Sequence, residues 1–276
     1  MLQLDDATLQ AHTLSLLDVD FLYYLLMFSV LSLWLYFGLS FYLKGVREKE
    51  NLAQKSYQKG FGIFITCAVA LETLFVADSF LEEHYDLTFF NSEGDYGLDS
   101  IVYSDFFVLA PAVMFFSLFF LLYPVEKYML KRSRASIATV NVALAPFPFV
   151  VRYVEVNLDD WFGVALESQS LPFFAMTVVW VTLIGFAFLS ILVVMALYGR
   201  MARAAPKGSK LRRKCWYVIF GLFLWATGLF STGETHNRIW AFWAPEIIFG
   251  RLFLFWTPFL LIISLLLLAS GFSREY

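Results

Sequence analysis

Seven apolar stretches, about 20–43, 60–82, 101–124, 135–154, 172–198, 214–232 and 246–271, leave this chain few ways to fold. A helix rises about 1.5 Å per residue, so each stretch can span a hydrocarbon layer about 30 Å thick. Inside lipid every backbone N–H and C=O must be satisfied within the protein, which selects helices for such stretches. The connections between them are short, so one bundle is expected in place of several domains. Composition agrees: 60% of residues are hydrophobic and 16% charged, against about 45–50% and 25% in soluble domains. The expectation is an all-α polytopic protein of the cell membrane, a seven-transmembrane-helix bundle over residues 20–271. Residues 1–19 form a tail at one end and 272–276 a tail at the other.

The basic residues give the bundle a direction. Lys44, Arg47, Lys49, Lys55 and Lys59 lie between the first two stretches, and Lys127, Lys131, Arg132 and Arg134 follow the third. Seven more occupy "GRMARAAPKGSKLRRK", and Arg274 lies near the C-terminus, placing seventeen of the 20 basic residues on one side. The positive-inside rule makes that side cytoplasmic, with the N-terminus outside and the C-terminus inside. At the inner leaflet these loops suit anionic lipid better than nucleic acid. The opposite side is acidic, from Asp18 and Asp20 to the run "EEHYDLTFFNSEGDYGLD" and Asp159–Asp160. An acidic mouth attracts cations; simple solvation of exposed loops explains the same charges.

Ionisable groups within the spans carry the functional information, because each costs about 2.5–3.5 kcal/mol at the bilayer centre on insertion scales. Glu72 stands thirteen residues beyond Lys59, roughly 20 Å up the span. Asp78, Asp105, Arg152, Glu246 and Arg251 fall in the outer third of their stretches. These six residues are the candidate ligand-binding set, with Glu72 as floor and Trp225, Tyr103 and Phe249 as aromatic lining. Glu72 is expected to bond Asn141, Thr73 or a water. A lattice of ion pairs that fixes helix register without any ligand is the competing reading. The fourth stretch, with Asn141, Pro146, Pro148 and Arg152, is expected to pack among neighbours that satisfy the carbonyls its prolines free.

Several chemistries are excluded on composition. His12, His84 and His236 all lie outside the middle of a span, so no paired axial histidines for a haem exist. Glu82, Glu83, His84, Glu234 and His236 lack metal-helix spacing. No nucleotide loop, dinucleotide fingerprint or nucleophile motif occurs. No catalytic residue, metal or cofactor is therefore expected. Cys67 and Cys215 fall within or beside spans, leaving no external disulfide; Cys215, after a basic loop, also fits a lipidation site. The first stretch lacks a basic leader, as an uncleaved anchor does. Residues 83–100 are long enough for a lid, and "LDDWFGVAL" has the spacing of an interfacial helix carrying Trp161.

The segment "YSDFFVLAP", Tyr103 to Pro111, resembles the third-helix pattern of microbial rhodopsins, where Tyr-x-Asp-aromatic precedes a Pro at the same interval. Leu109-Ala110 stand where that family carries a Thr pair, and the seventh stretch contains no Lys. Without that amine no retinal Schiff base forms, which excludes a working opsin. The topology also resembles the seven-helix sensor modules that precede some histidine kinases, although no kinase follows here. The reading is a receptor-like or sensory membrane protein with an outward-facing polar pocket, signalling through a separate partner. One alternative is a proton- or cation-coupled carrier or channel using Glu72. It needs a polar path inward, for which Thr66, Ser117, Asn141 and Ser190 look too scattered. The other is a structural or assembly subunit of a membrane complex.

Overall fold

The computed structural model describes residues 19–85, 87, 105–129, 136–157, 171–230 and 256–272. Eight α-helices occupy them: α1 Val19–Arg47, α2 Leu52–Tyr85, α3 Asp105–Pro124, α4 Ser136–Leu144, α5 Phe147–Val156, α6 Leu171–Ala204, α7 Lys210–Phe230 and α8 Trp256–Phe272. A π-helical turn, Val125–Met129, extends α3, and no strand occurs among the described residues. Five segments are long and apolar enough to cross a membrane: Phe21–Arg47, Leu52–Leu81, Val108–Tyr128, Ser136–Val154 and Val181–Ala204. α7 opens on Lys210, Arg212, Arg213 and Lys214, and α8 is a shorter apolar helix. The fold is thus all-helical and fits a multi-pass membrane protein.

Helices outrun the apolar stretches at the basic end. α2 begins eight residues before the stretch at 60, and α6 runs on to Ala204. Helical hydrogen bonding does not stop where hydrocarbon stops, and long cationic side chains reach the interface from a helix that continues past it. Two of the basic "loops" are therefore tight turns. Only residues 48–51 separate α1 from α2, and 205–209 separate α6 from α7. Gly208 takes φ 81° in that second turn, a conformation an L side chain resists, while Ser209 Oγ accepts from Arg212 N at 3.3 Å as the cap of α7.

The helices close into a ring. α1 packs along α2, α2 along α3, α3 against α4, α5 and α6, α6 against α7, α7 along α8, and α8 returns to α1. Small residues set the close approaches, as expected where lipid supplies no hydrophobic drive between helices. A Cβ at Gly62 would stand 2.6 Å from Tyr42 N, and one at Gly38 2.8 Å from Thr66 Oγ1. One at Gly60 would fall on the Phe120 carbonyl oxygen. On the far side Gly221 and Gly228 admit Leu268 and Leu261, and Ser264 Oγ donates to Gly221 O at 2.6 Å. Trp34, Phe64, Trp225, Leu222 and Leu261 fill the centre. Phe64 and Trp225 meet edge to face at 5.1 Å, and Trp34 Nε1 donates to Leu261 O at 3.1 Å, tying α1 to α8.

The fourth stretch departs from a single packed helix. It breaks into α4 and α5 at Ala145–Pro146, and only 22% of Ser136–Val154 is buried, the smallest share among the five spans. Pro146 and Pro148 supply no N–H, so the ladder cannot continue through them. Ala145 N turns back to Val142 O at 3.3 Å instead. The Val142 carbonyl that Pro146 leaves without its helical donor is thus taken up in a local turn.

Candidate functional site

Glu72 belongs to the interior face of α2. Phe61, Ile65, Ala68 and Glu72 fall within a narrow stripe at 3.6 residues per turn, and all four are buried, Glu72 at 7% exposure. The lower end of that stripe is apolar and aromatic. Phe61 meets Phe37, Phe41 and Phe272 with ring centroids at 6.3, 5.4 and 4.4 Å, and stacks on Tyr57 at 6.4 Å. Above, Tyr23 of α1 lies within electrostatic range of the Glu72 carboxylate. Leu31 and Met27 are also fully buried on the face of α1 that enters the same core.

Asp78 is buried too, at 8% exposure, but about 120° around the helix from Glu72. It stands five turns above Gly60, on the face that meets α3. Gly60 touches the end of α3 at Phe120 and Pro124, so the same face reaches the first turn of α3, opened by Asp105, about 27 Å higher. Free N–H groups and the positive end of the helix dipole favour a carboxylate there. Arg152 is half-buried on α5, a helix that packs against α3. Asp78 thus lies on the α2 face toward α3, while Glu72 is turned into the bundle interior. Glu246, Arg251, Tyr103 and Phe249, like residues 88–104 and 158–170, lie outside the described residues. Trp225 is a core residue at 1% exposure.

Two of the partners expected for Glu72, Thr73 and Asn141, make bonds of their own. Thr73 Oγ1 donates to Val69 O at 2.7 Å within its own helix. Asn141, fully buried, donates from Nδ2 to Ile137 O at 2.9 Å and accepts from Ser190 Oγ at 3.1 Å. Asn141 and Ser190 are thus not scattered but form one bond between α4 and α6. Such bonds in membranes average about 0.6 kcal/mol and reach about 2, so Ser190→Ala should lower stability by about 1 kcal/mol, read by thermal denaturation in detergent. No change would mean that the two helices do not meet at this point.

Three polar contacts escape any local reading of the sequence. The hydroxyls of Tyr57 and Tyr198 hydrogen-bond each other across 141 positions, joining α2 to α6 at the basic end. Cys215 packs near them at 2% exposure, which withholds it from acylation. Most telling is Glu126, an acid amid basic residues and 1% exposed in the π-turn. Its Oε1 accepts from Ile137 N at 3.1 Å and its Oε2 from Ala138 N at 2.7 Å, capping α4 from across the turn. An isolated acid ten residues before an apolar helix was the only available signal. Lys127 turns outward to Tyr123 Oη at 3.0 Å. Among the described residues no group of three His, Cys, Asp or Glu is placed to hold a metal ion. No protein-family model, no curated protein and no solved structure matches the chain.

Proposed function

We propose that this chain is a seven-pass receptor-like or sensory membrane protein, open to a ligand on the acidic side and sealed on the basic side. The carrying observation is the α2 stripe, a buried carboxylate at Glu72 standing above a closed column of Ala68, Ile65 and Phe61. Buried charge of this kind normally faces a bundle interior or a water-filled cavity. Asp78 and Arg152 add polar groups of both signs around the outer half of α3. Glu246 and Arg251 complete the proposed ligand set. The seventeen basic residues assign the sealed end to the cytoplasm by the positive-inside rule. There they meet anionic lipid and the separate partner that receives the signal.

The carrier reading finds less support. Below Glu72 the column ends in the aromatic rings around Phe61, the buried Thr66 and Gln58 oxygens accompany it without forming a bonded chain, and Asn141 and Ser190 bond each other. Cysteine accessibility separates the two readings. With Cys67 and Cys215 replaced by Ala, Val76→Cys should react with a membrane-impermeant maleimide added outside. Ile65→Cys should stay unreactive from both faces. Labelling of Ile65→Cys from the basic side would favour a through-path, and an inert Val76→Cys would remove the outer pocket.

A further inference from the structure

We propose that the outward face of α1 joins two copies of this chain side by side in the membrane, through hydroxyl groups that lipid does not satisfy. Leu25, Ser29, Ser32, Leu33, Tyr36 and Leu43 are all exposed and fall within an arc of about 100° at 3.6 residues per turn. The opposite side of the helix is committed to the bundle. Gly38 lies against Thr66 of α2, and Trp34 Nε1 donates to Leu261 O of α8. Tyr36, at 75% exposure, is barer than any other large apolar or aromatic side chain among the described residues. Its depth makes that exposure informative. Asp20 and Lys44 bound the apolar run, with Tyr36 eight residues from the cation and sixteen from the acid, about 12 and 24 Å. Tyrosine favours the interfaces, where its ring is apolar and its hydroxyl wet. On a helix it leans toward the N-terminus, here away from the nearer interface, and reaches little more than one turn, about 5 Å. Tyr36 Oη therefore stops short of headgroups and water on either side.

No hydrogen bond to Tyr36 Oη occurs among the described residues, and a hydroxyl left in hydrocarbon costs free energy. The complementary groups stand on the same face. Ser29 Oγ donates to Leu25 O at 2.8 Å and Ser32 Oγ to Phe28 O at 2.7 Å. Each serine has thus spent its one proton and keeps lone pairs that accept; Tyr36 offers the proton they lack. All copies insert with the same orientation, so two α1 helices that meet run parallel about a two-fold axis along the bilayer normal. Tyr36 of each copy, leaning toward the N-terminus, then comes level with Ser32 of the other, and the axis repeats the bond. Serine is small enough to let the helices approach, with Leu25, Leu33 and Leu43 packing beside it. This face therefore complements a second copy of itself, which acyl chains and an all-aliphatic helix do not.

The pairing requires α1 to cross the membrane but not the receptor reading. The full chain, fused at its C-terminus to a donor or an acceptor fluorescent protein, is mixed in phosphatidylcholine vesicles over a range of protein-to-lipid ratios. Energy transfer should exceed that of random mixing; transfer at the random level would overturn the proposal. Two equivalent interhelical bonds, each worth about threefold in the association constant, predict that Tyr36→Phe needs about tenfold more protein for half-maximal transfer. A parent-like curve for this variant would overturn the pairing. Ser29→Ala combined with Ser32→Ala should weaken association to the same degree. Adding Tyr36→Phe to that pair should then change nothing further, because both sets of substitutions remove the same bonds. A second tenfold loss in the triple variant would equally overturn the pairing. All three positions are exposed, so the buried core of each variant is that of the parent. Val181→Ala, exposed on α6, should follow the parent curve. A tenfold loss there, with Tyr36→Phe unchanged, would move the contact to another face and discard this one.

Discussion

Gly60→Val is expected to abolish the folded bundle. A Cβ at this position overlaps the Phe120 carbonyl oxygen and comes within 3.3 Å of the Pro124 ring. Both belong to α3, and a main-chain carbonyl cannot rotate aside as a side chain does. Nor can α2 retreat, because its other flank already packs so closely on α1 that a Cβ at Gly62 would stand 2.6 Å from Tyr42 N. Overpacking in a yielding core costs about 1–3 kcal/mol; with backbone on both sides the expected loss is about 4 kcal/mol or more, in the exceptional range for one substitution. The measurement is the monodisperse fraction on size-exclusion chromatography. Gly185→Ala is the control, since nothing lies within 4 Å of a Cβ there. Parent-like elution and melting of Gly60→Val would separate α2 from α3 and remove the face on which Asp78 is placed.

Glu126→Ala should be nearly as damaging, for the opposite reason. The substitution leaves a void and strips acceptors from Ile137 N and Ala138 N, at a site 1% exposed. Hydrogen bonds to a charged group contribute about 1.5–3 kcal/mol each, and a buried donor left bare costs about 1–3. A loss of about 3 kcal/mol is expected, seen as a lower thermal midpoint. Glu126→Gln keeps one acceptor and turns an NH2 toward an N–H, so it should fall between parent and Ala. Lys127→Ala, at the exposed neighbour, should leave the thermal midpoint where it is in the parent, as surface changes do. An ordering in which Lys127→Ala matters more than Glu126→Ala would show that the acid is a solvated loop residue after all.

That Glu126 was hidden in the sequence while Glu72 was not has a physical cause. Glu72 interrupts a long apolar run, and the cost of burying charge makes such an interruption conspicuous. Glu126 sits in "VEKYMLKRSR", where an acid among cations is ordinary. Its burial follows from the π-turn folding back on a helix that starts ten residues later. The Tyr57–Tyr198 and Trp34–Leu261 bonds span 141 and 227 positions, and periodicity carries no information over such distances. Apolar length located the helices because hydrocarbon thickness dictates it; it placed their basic ends too early because backbone bonding continues into the interface. The prolines at 146 and 148 announced a disturbed helix, but only the three-dimensional arrangement distinguishes a buried kink from an exposed break. For the site, the rotational positions of Glu72 and Asp78 were calculable from spacing alone. Which neighbour each faces required the contact of Gly60 with α3.

The tie between Trp34 and α8 has a consequence for biosynthesis. Chains emerge at about 5–20 residues per second, so α1 enters the bilayer roughly ten to fifty seconds before α8 can reach it. Throughout that interval the indole N–H of Trp34 and the rings of Phe41 and Phe61 lack the partners that Leu261 and Phe272 later provide. Nascent chains thus carry an incomplete seam, and cellular quality control can distinguish a finished molecule from a stalled one by whether that seam has shut.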